Sequence, residues 1–150
     1  TKNKVISAAD VEKILAHTRS ESAFTLFSAI AEGNFSKSLE IIRSLLSGGE
    51  SSIAIFAGLT WCFRRFRDYC NAVSENRAGD FELKKIGIST LKSKTDYKRA
   101  LENYGLSSGD TLLALCAKYD LETRTSGMTL ESLVFDLFLY EINKLKSKHL

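Results

Sequence analysis

The sequence contains no proline. A strand-rich chain of 150 residues would normally place a few prolines at its turns. Their absence, with nine glycines gathered mostly at segment ends, favours helices joined by glycine and serine stops. Histidine is nearly as scarce. His17 and His149 stand alone with no positioned partner, so neither reads as a metal ligand or a general base. The three cysteines, Cys62, Cys70 and Cys116, are an odd number without a C-x-x-C pair, and read as reduced core thiols of a cytosolic protein. Long hydrophobic runs are missing too. The longest near-apolar stretch, Ile53 to Phe63, is broken by Gly58 and Thr60 and is too short to span a bilayer. Lys2 and Lys4 precede no apolar run, so no signal peptide and no membrane partner are expected. A net charge of +3 does not by itself call for a polyanion. The first residue is Thr1 and not Met, so the chain is expected to be a piece of a longer polypeptide.

Apolar residues make up 44% and charged residues 26%, which suits one soluble domain with a single core and not a disordered chain. Segments with helical spacing follow one another. Ser7 and Asp10 cap a first helix with Val11, Ile14 and Leu15 on one stripe. A second runs from Ala23 to Glu32 and stops at Gly33-Asn34. A third, Ser36 to Ser47, ends at Gly48-Gly49 and forms a helical hairpin with the second. A fourth begins after Ser52 and reaches about Ser74, and a short fifth lies around Asp80 to Ile86. The sixth, Ser89 to Tyr104, has a thin stripe of Leu91, Tyr97, Ala100, Leu101 and Tyr104. The seventh, Asp110 to Arg124, carries Leu112, Leu113, Leu115, Cys116, Tyr119 and Leu121. The eighth runs from Thr129 to about Lys146. No segment alternates strictly, so the expected fold class is all-α, a bundle of about six to eight helices.

The stretch Leu59 to Cys70, LTWCFRRFRDYC, interleaves arginines with aromatic rings. Such interleaving suits a nucleic-acid groove and also a protein interface. On a helical wheel Phe56, Leu59, Phe63, Phe66, Cys70 and Val73 form a core stripe, widened by Ile55, Cys62 and Tyr69. Opposite lie Ile53, Ala57, Trp61, Arg64, Asp68 and Asn71, with Arg65 and Arg67 on the flanks. The rings therefore serve the fold, except Trp61. An outer face of Ile53, Ala57 and Trp61 has two readings: another helix of the same chain covers it, or a partner does. Segment eight raises the same question. Leu130, Leu133, Val134, Leu137 and Phe138 lie on one side, and Phe135, Leu139 and Ile142 on another. Two helices this apolar suggest burial against other chains as well. The candidate interface is Ile53, Ala57, Trp61, Arg64, Arg65, Phe135 and Leu139.

Catalytic patterns are missing. Ser47-Gly48-Gly49-Glu50-Ser51 is no phosphate loop, and no nucleophile sits in a recognisable elbow. Glu12 and Glu40 read as solvated carboxylates. Lys84, Lys85, Lys92, Lys94, Lys98 and Arg99 have the ordinary reading of a wet helix face, with phosphate contact as the alternative. No catalytic residue, metal or cofactor is expected.

The order of motifs resembles the C-terminal part of the delta subunit of bacterial DNA polymerase III, the clamp-loader subunit. Ile6 to Val11 is like the end of that family's middle, lid-like domain. Ala23-Phe24-Thr25-Leu26, Ala29-Ile30 and Gly33 to Leu39 are similar to its "F-x-L…A-I…G-x-x-x-x-A-L" hairpin. Leu45 to Glu50 resembles its "L-L-x-x-G-E" turn, and Ile55 to Arg67 its "I-L…L…Q-F-R" helix. Asp120 to Arg124 and Leu130 to Val134 resemble its final "D-x-x-x-K…L-E-x-L-L" pair. The likeness is strongest over residues 6–70 and 110–140. Ser51-Ser52 replace the usual proline, Arg65 replaces the usual glutamine, and residues 76–105 match poorly.

The resemblance implies that residues 1–20 end a lid-like domain and that 21–150 form a helical collar domain. It implies a cytoplasmic, bacterial, non-catalytic module for DNA replication. Such a module oligomerises with other clamp-loader subunits, so that the sliding clamp is opened and loaded on DNA. The sliding clamp would be reached only through an N-terminal domain, and DNA contact would be indirect or weak. The parent holoenzyme would be a DNA-directed DNA polymerase, a nucleotidyltransferase. The alternative is a helical nucleic-acid-binding domain. A helical-repeat scaffold ranks last, because no repeat of fixed period recurs.

Overall fold

The computed structural model describes residues 23–149. The first expected helix and the boundary near residue 20 lie outside the described residues. Those described form an all-α bundle. Residues 23–31 belong to α1. Then come α2 (Phe35–Ser47), α3 (Ser52–Ser74), α4 (Asp80–Lys85), α5 (Leu91–Tyr104) and α6 (Gly109–Ser126). A 3-10 turn, Met128–Leu130, leads into α7 (Glu131–His149).

Local chemistry sets the helix ends. Gly33 adopts φ +71, a left-handed conformation that a residue with a Cβ resists, and turns α1 back toward α2. Asn34 caps α2, its Oδ1 accepting from the Lys37 amide at 3.0 Å. Ser51 caps α3 by accepting from the Ala54 amide at 3.1 Å, and Thr90 caps α5 by accepting from the Ser93 amide at 3.1 Å.

Helix α3 is the spine. It packs most heavily on α6 and also meets α5, while α7 packs on α6, α2 and α5. Its inward face is Phe56, Leu59, Phe63, Phe66 and Cys70, with Ile55, Cys62 and Tyr69 beside them, as the spacing requires. Val73 is only partly buried. From the far side of the core α7 supplies Phe135 and Phe138. The Phe56 and Phe135 rings stack with centroids 4.7 Å apart, and Phe138 meets Phe56 edge-on at 5.1 Å. Each fully buried phenylalanine contributes about 1.5–3 kcal/mol through apolar burial.

Two apolar residues depart from the expected stripes. Leu91, at the first position of α5, is 82% exposed. Leu121 points outward at 61% exposure, since Leu112, Cys116, Tyr119 and Thr123 form the inner line of α6.

Polar bonds tie α1 to the later helices. Tyr104 Oη donates to the Ile30 carbonyl at 2.7 Å, and Asn103 Nδ2 to the Ala31 carbonyl at 2.7 Å. Lys146 Nζ reaches the Gly33 carbonyl at 3.0 Å. These donors satisfy carbonyls that a helix end leaves without an intrahelical partner. At mid-helix Ser28 Oγ donates to buried Asp96 at 2.6 Å, and Lys92 Nζ reaches both groups, at 2.8 and 3.3 Å.

Candidate subunit interface

The outward face of α3 carries Ile53, Ala57, Trp61 and Arg64, all exposed, with Ile53 at 53% and Trp61 at 39%. Arg65 lies at its edge, half-buried. Two contacts hold Trp61 in place. Phe24 of α1 meets its ring edge-on, with centroids 5.2 Å apart. The Arg65 guanidinium lies over the ring, 3.4 Å from its centroid. Behind Arg65 runs the turn between α4 and α5. A Cβ on Gly87 would fall 2.7 Å from Arg65 Nε, and Gly87 adopts φ +90, so glycine is required there twice over. Arg65 Nε is itself buried with no acceptor. The guanidinium is therefore held by stacking and enclosure. Tight packing of α1 on α3 completes the wall: a Cβ on Gly58 would fall 2.6 Å from that of Ala23.

Beside this wall lies an open groove of about 540 Å³, lined by Phe24, Phe27, Trp61, Thr90, Lys92 and Tyr97. One side is aromatic and the other is the first turn of α5. That pairing of apolar wall and polar rim suits a protein contact.

The chemistry beneath the wall is inert. Burial pushes the Cys62 thiol up to about 12, against a smaller opposing pull from Arg65, and burial likewise pushes Cys70 up to about 12. Both are protonated at neutral pH and not nucleophilic. All three cysteines are free and buried. Among the described residues no group of three or more His, Cys, Asp or Glu could hold a metal ion. Among them also, no helix is long and apolar enough to cross a membrane.

Two members of the expected interface do not belong to the surface. Phe135 is fully buried and Leu139 is 2% exposed. Segment eight is apolar nearly all round, so periodicity alone does not reveal which side turns inward. Stacking of Phe135 on Phe56 decides it. The outward side of α7 carries Leu133, Leu137 and Tyr140 instead. Spacing also missed Phe24, whose ring leaves the core stripe of α1 to reach Trp61 and stands 42% exposed. The one sequence signal for the role of Gly87 is a glycine between two short polar helices.

Neighbouring charges are shared out locally. Arg67 faces Asp68, at 3.8 Å, and also approaches Asp110 at 3.9 Å. In the basic cluster Lys85 meets Glu82, Lys92 meets Asp96, Lys94 meets Asp80 and Arg99 meets Glu32. Four of its six cations thus face carboxylates, which favours the wet-face reading over convergent phosphate binding.

No family model matches the sequence, and no curated protein matches it. Among solved structures, the Bacillus subtilis DNA clamp loader delta protein (YqeN) is similar over 91% of this chain, with a TM-score of 0.66 and 23% identity. The chain spans 40% of the length of that protein. At this identity the likeness is one of fold: the bundle has the helical architecture of part of a clamp loader delta protein.

Proposed function

We infer that this chain is a non-catalytic assembly domain of a clamp-loader delta-type protein. The observation that carries the reading is the fold likeness to the Bacillus subtilis clamp loader delta protein over 91% of the chain. The domain acts as a collar. It joins other clamp-loader subunits through the outward face of α3, where Ile53, Ala57, Trp61, Arg64 and Arg65 meet the neighbour. Its work is mechanical: it holds parts of the loader in register while the sliding clamp is opened and placed on DNA. The Trp61 wall suits the role, because a half-exposed tryptophan fixed by Phe24 and Arg65 is preorganised and loses little rotamer freedom on binding.

Native mass spectrometry of the chain mixed with the other clamp-loader subunits of the same organism tests this reading. A hetero-complex is expected, and Trp61→Ala is expected to weaken it at least tenfold while circular dichroism stays unchanged. No complex in any mixture, together with steeply salt-dependent binding to duplex DNA, would move the function to nucleic acid.

A further inference from the structure

The arginines of this domain are not all treated alike. Among the described residues, Arg43, Arg67, Arg77, Arg99 and Arg124 each face a carboxylate. Arg64 and Arg65 face none, and neither guanidinium donates a hydrogen bond. Both flank Trp61. Arg64 stands nearly one turn on, exposed on the same outward face of α3. Arg65 covers the Trp61 ring, 3.4 Å from its centroid. Acids that could neutralise them are taken. Asp68, one turn beyond Arg64, faces Arg67 at 3.8 Å. Asp96, which lines the groove beside Trp61, is buried, accepts from Ser28 at 2.6 Å and faces Lys92 at 3.3 Å. Two adjacent guanidiniums without a counter-charge set up a local positive potential around a tryptophan already fixed in place. Their planar forks of N–H donors match a carboxylate in two parallel hydrogen bonds.

We propose that the Trp61 face binds an acidic segment of the neighbouring subunit: its carboxylates pair with Arg64 and Arg65, and an apolar side chain beside them enters the groove next to Trp61. The collar reading supplies the identity of that neighbour, and the unpaired arginines supply its chemistry. Charge and shape select the same occupant. A basic segment would meet two guanidiniums of its own sign, whereas an acidic one relieves both. The groove wall of Phe24, Phe27 and Trp61 accepts an apolar side chain, with the charged pairs at its rim. Nucleic acid fits less well. Phosphate binding needs several convergent cations, and Lys92, on the groove's other side, is already held by Asp96. The Asp96 carboxylate would stand against a phosphate backbone. Arg65 also occupies one face of the Trp61 ring, which a stacking base would otherwise use.

Trp61 is the single tryptophan of the chain, so its fluorescence reports occupancy of this face. The chain is titrated with a short synthetic peptide of glutamates around a central leucine, with the same peptide carrying lysines, and with a short single strand of DNA. The acidic peptide is expected to shift the emission and saturate with a Kd on the order of 10⁻⁴ M, and the lysine peptide to leave it unchanged. Arg64→Glu is expected to weaken the acidic peptide at least tenfold with helicity unchanged, and Arg124→Gln, which removes a paired arginine elsewhere, to leave the affinity as it was. If Arg64→Glu loses helicity, Arg64→Gln serves in its place. A response to both peptides, a response to neither, or binding that survives Arg64→Glu overturns the proposal. Tighter binding of the DNA strand than of the acidic peptide overturns it in favour of nucleic acid. In the mixture with the other clamp-loader subunits, Arg64→Glu is expected to weaken the hetero-complex as Trp61→Ala does. A hetero-complex lost in Trp61→Ala but untouched by Arg64→Glu keeps the collar and overturns the acidic partner. Binding of the acidic peptide with no hetero-complex in any mixture supports the acidic occupant and removes the neighbouring subunit as its source.

Discussion

Helices α3 and α7 are both apolar around most of their circumference, yet they present their outer faces differently. On α3 the exposed tryptophan is fitted out. One ring meets its edge, a guanidinium covers its face, and a glycine turn keeps that guanidinium in place. On α7 the exposed leucines stand bare between charges engaged elsewhere. The first surface is shaped before any partner arrives and suits a specific neighbour. The second has only spacing and hydrophobicity, and suits a plain helix. Similar composition thus yields two kinds of surface, and neighbouring elements make the difference.

The contrast breaks most visibly inside the core. Phe135→Ala is expected to cost about 3–5 kcal/mol by urea denaturation, because it empties the space against Phe56. A loss below about 1 kcal/mol would mean that α7 is inserted the other way round.

Next in size is the alkaline limit. The Cys62 and Cys70 thiols are pushed up by burial to about 12 in the folded chain. Their stabilising contribution is complete below the ordinary thiol pKa and is lost as pH rises through the folded value. Stability should be unaffected by these thiols from pH 6 to 8. Above about pH 9 it should fall by about 1.4 kcal/mol per pH unit for a fully buried thiol, and by less for a more accessible one. Thermal melts across that range, with thiol-reagent kinetics in parallel, measure this. Rapid thiol labelling of the folded chain at pH 8 would contradict it.

Asp96→Ala comes third, at about 1–3 kcal/mol, because it leaves Ser28 without its acceptor in a buried place. Gly87→Ala is expected to act on the α3 face and not on α7. It displaces Arg65 from Trp61 and removes a cation–π contact of about 0.5–1 kcal/mol, on top of the strain of a positive φ. A changed tryptophan emission reports the displacement. The smallest effect belongs to Leu137→Ala, within about 0.5 kcal/mol in the monomer, since the residue is 47% exposed.

Much of the fold was legible in the sequence, and the reason is local. Gly33-Asn34 and Gly48-Gly49 carry their stop signals within a few residues, and the inward line of α3 follows from spacing alone. The candidate site was legible only where one helix decides it. The outward position of Ile53, Ala57, Trp61 and Arg64 follows from the wheel of α3. The burial of Phe135 does not follow from the wheel of α7, because that wheel is apolar on both sides and Phe56, far away in sequence, makes the choice. Phe24 and Gly87 escaped for the same reason: their partners come from other helices.

One last consequence belongs to the end of α1. The carbonyls of Ile30, Ala31 and Gly33 are gripped by Tyr104, Asn103 and Lys146, from α5 and α7. Such a helix is clamped at its far end the way a beam is set into masonry. A pull delivered along α1 does not stop at the loop after it. It passes through three side chains into two other helices.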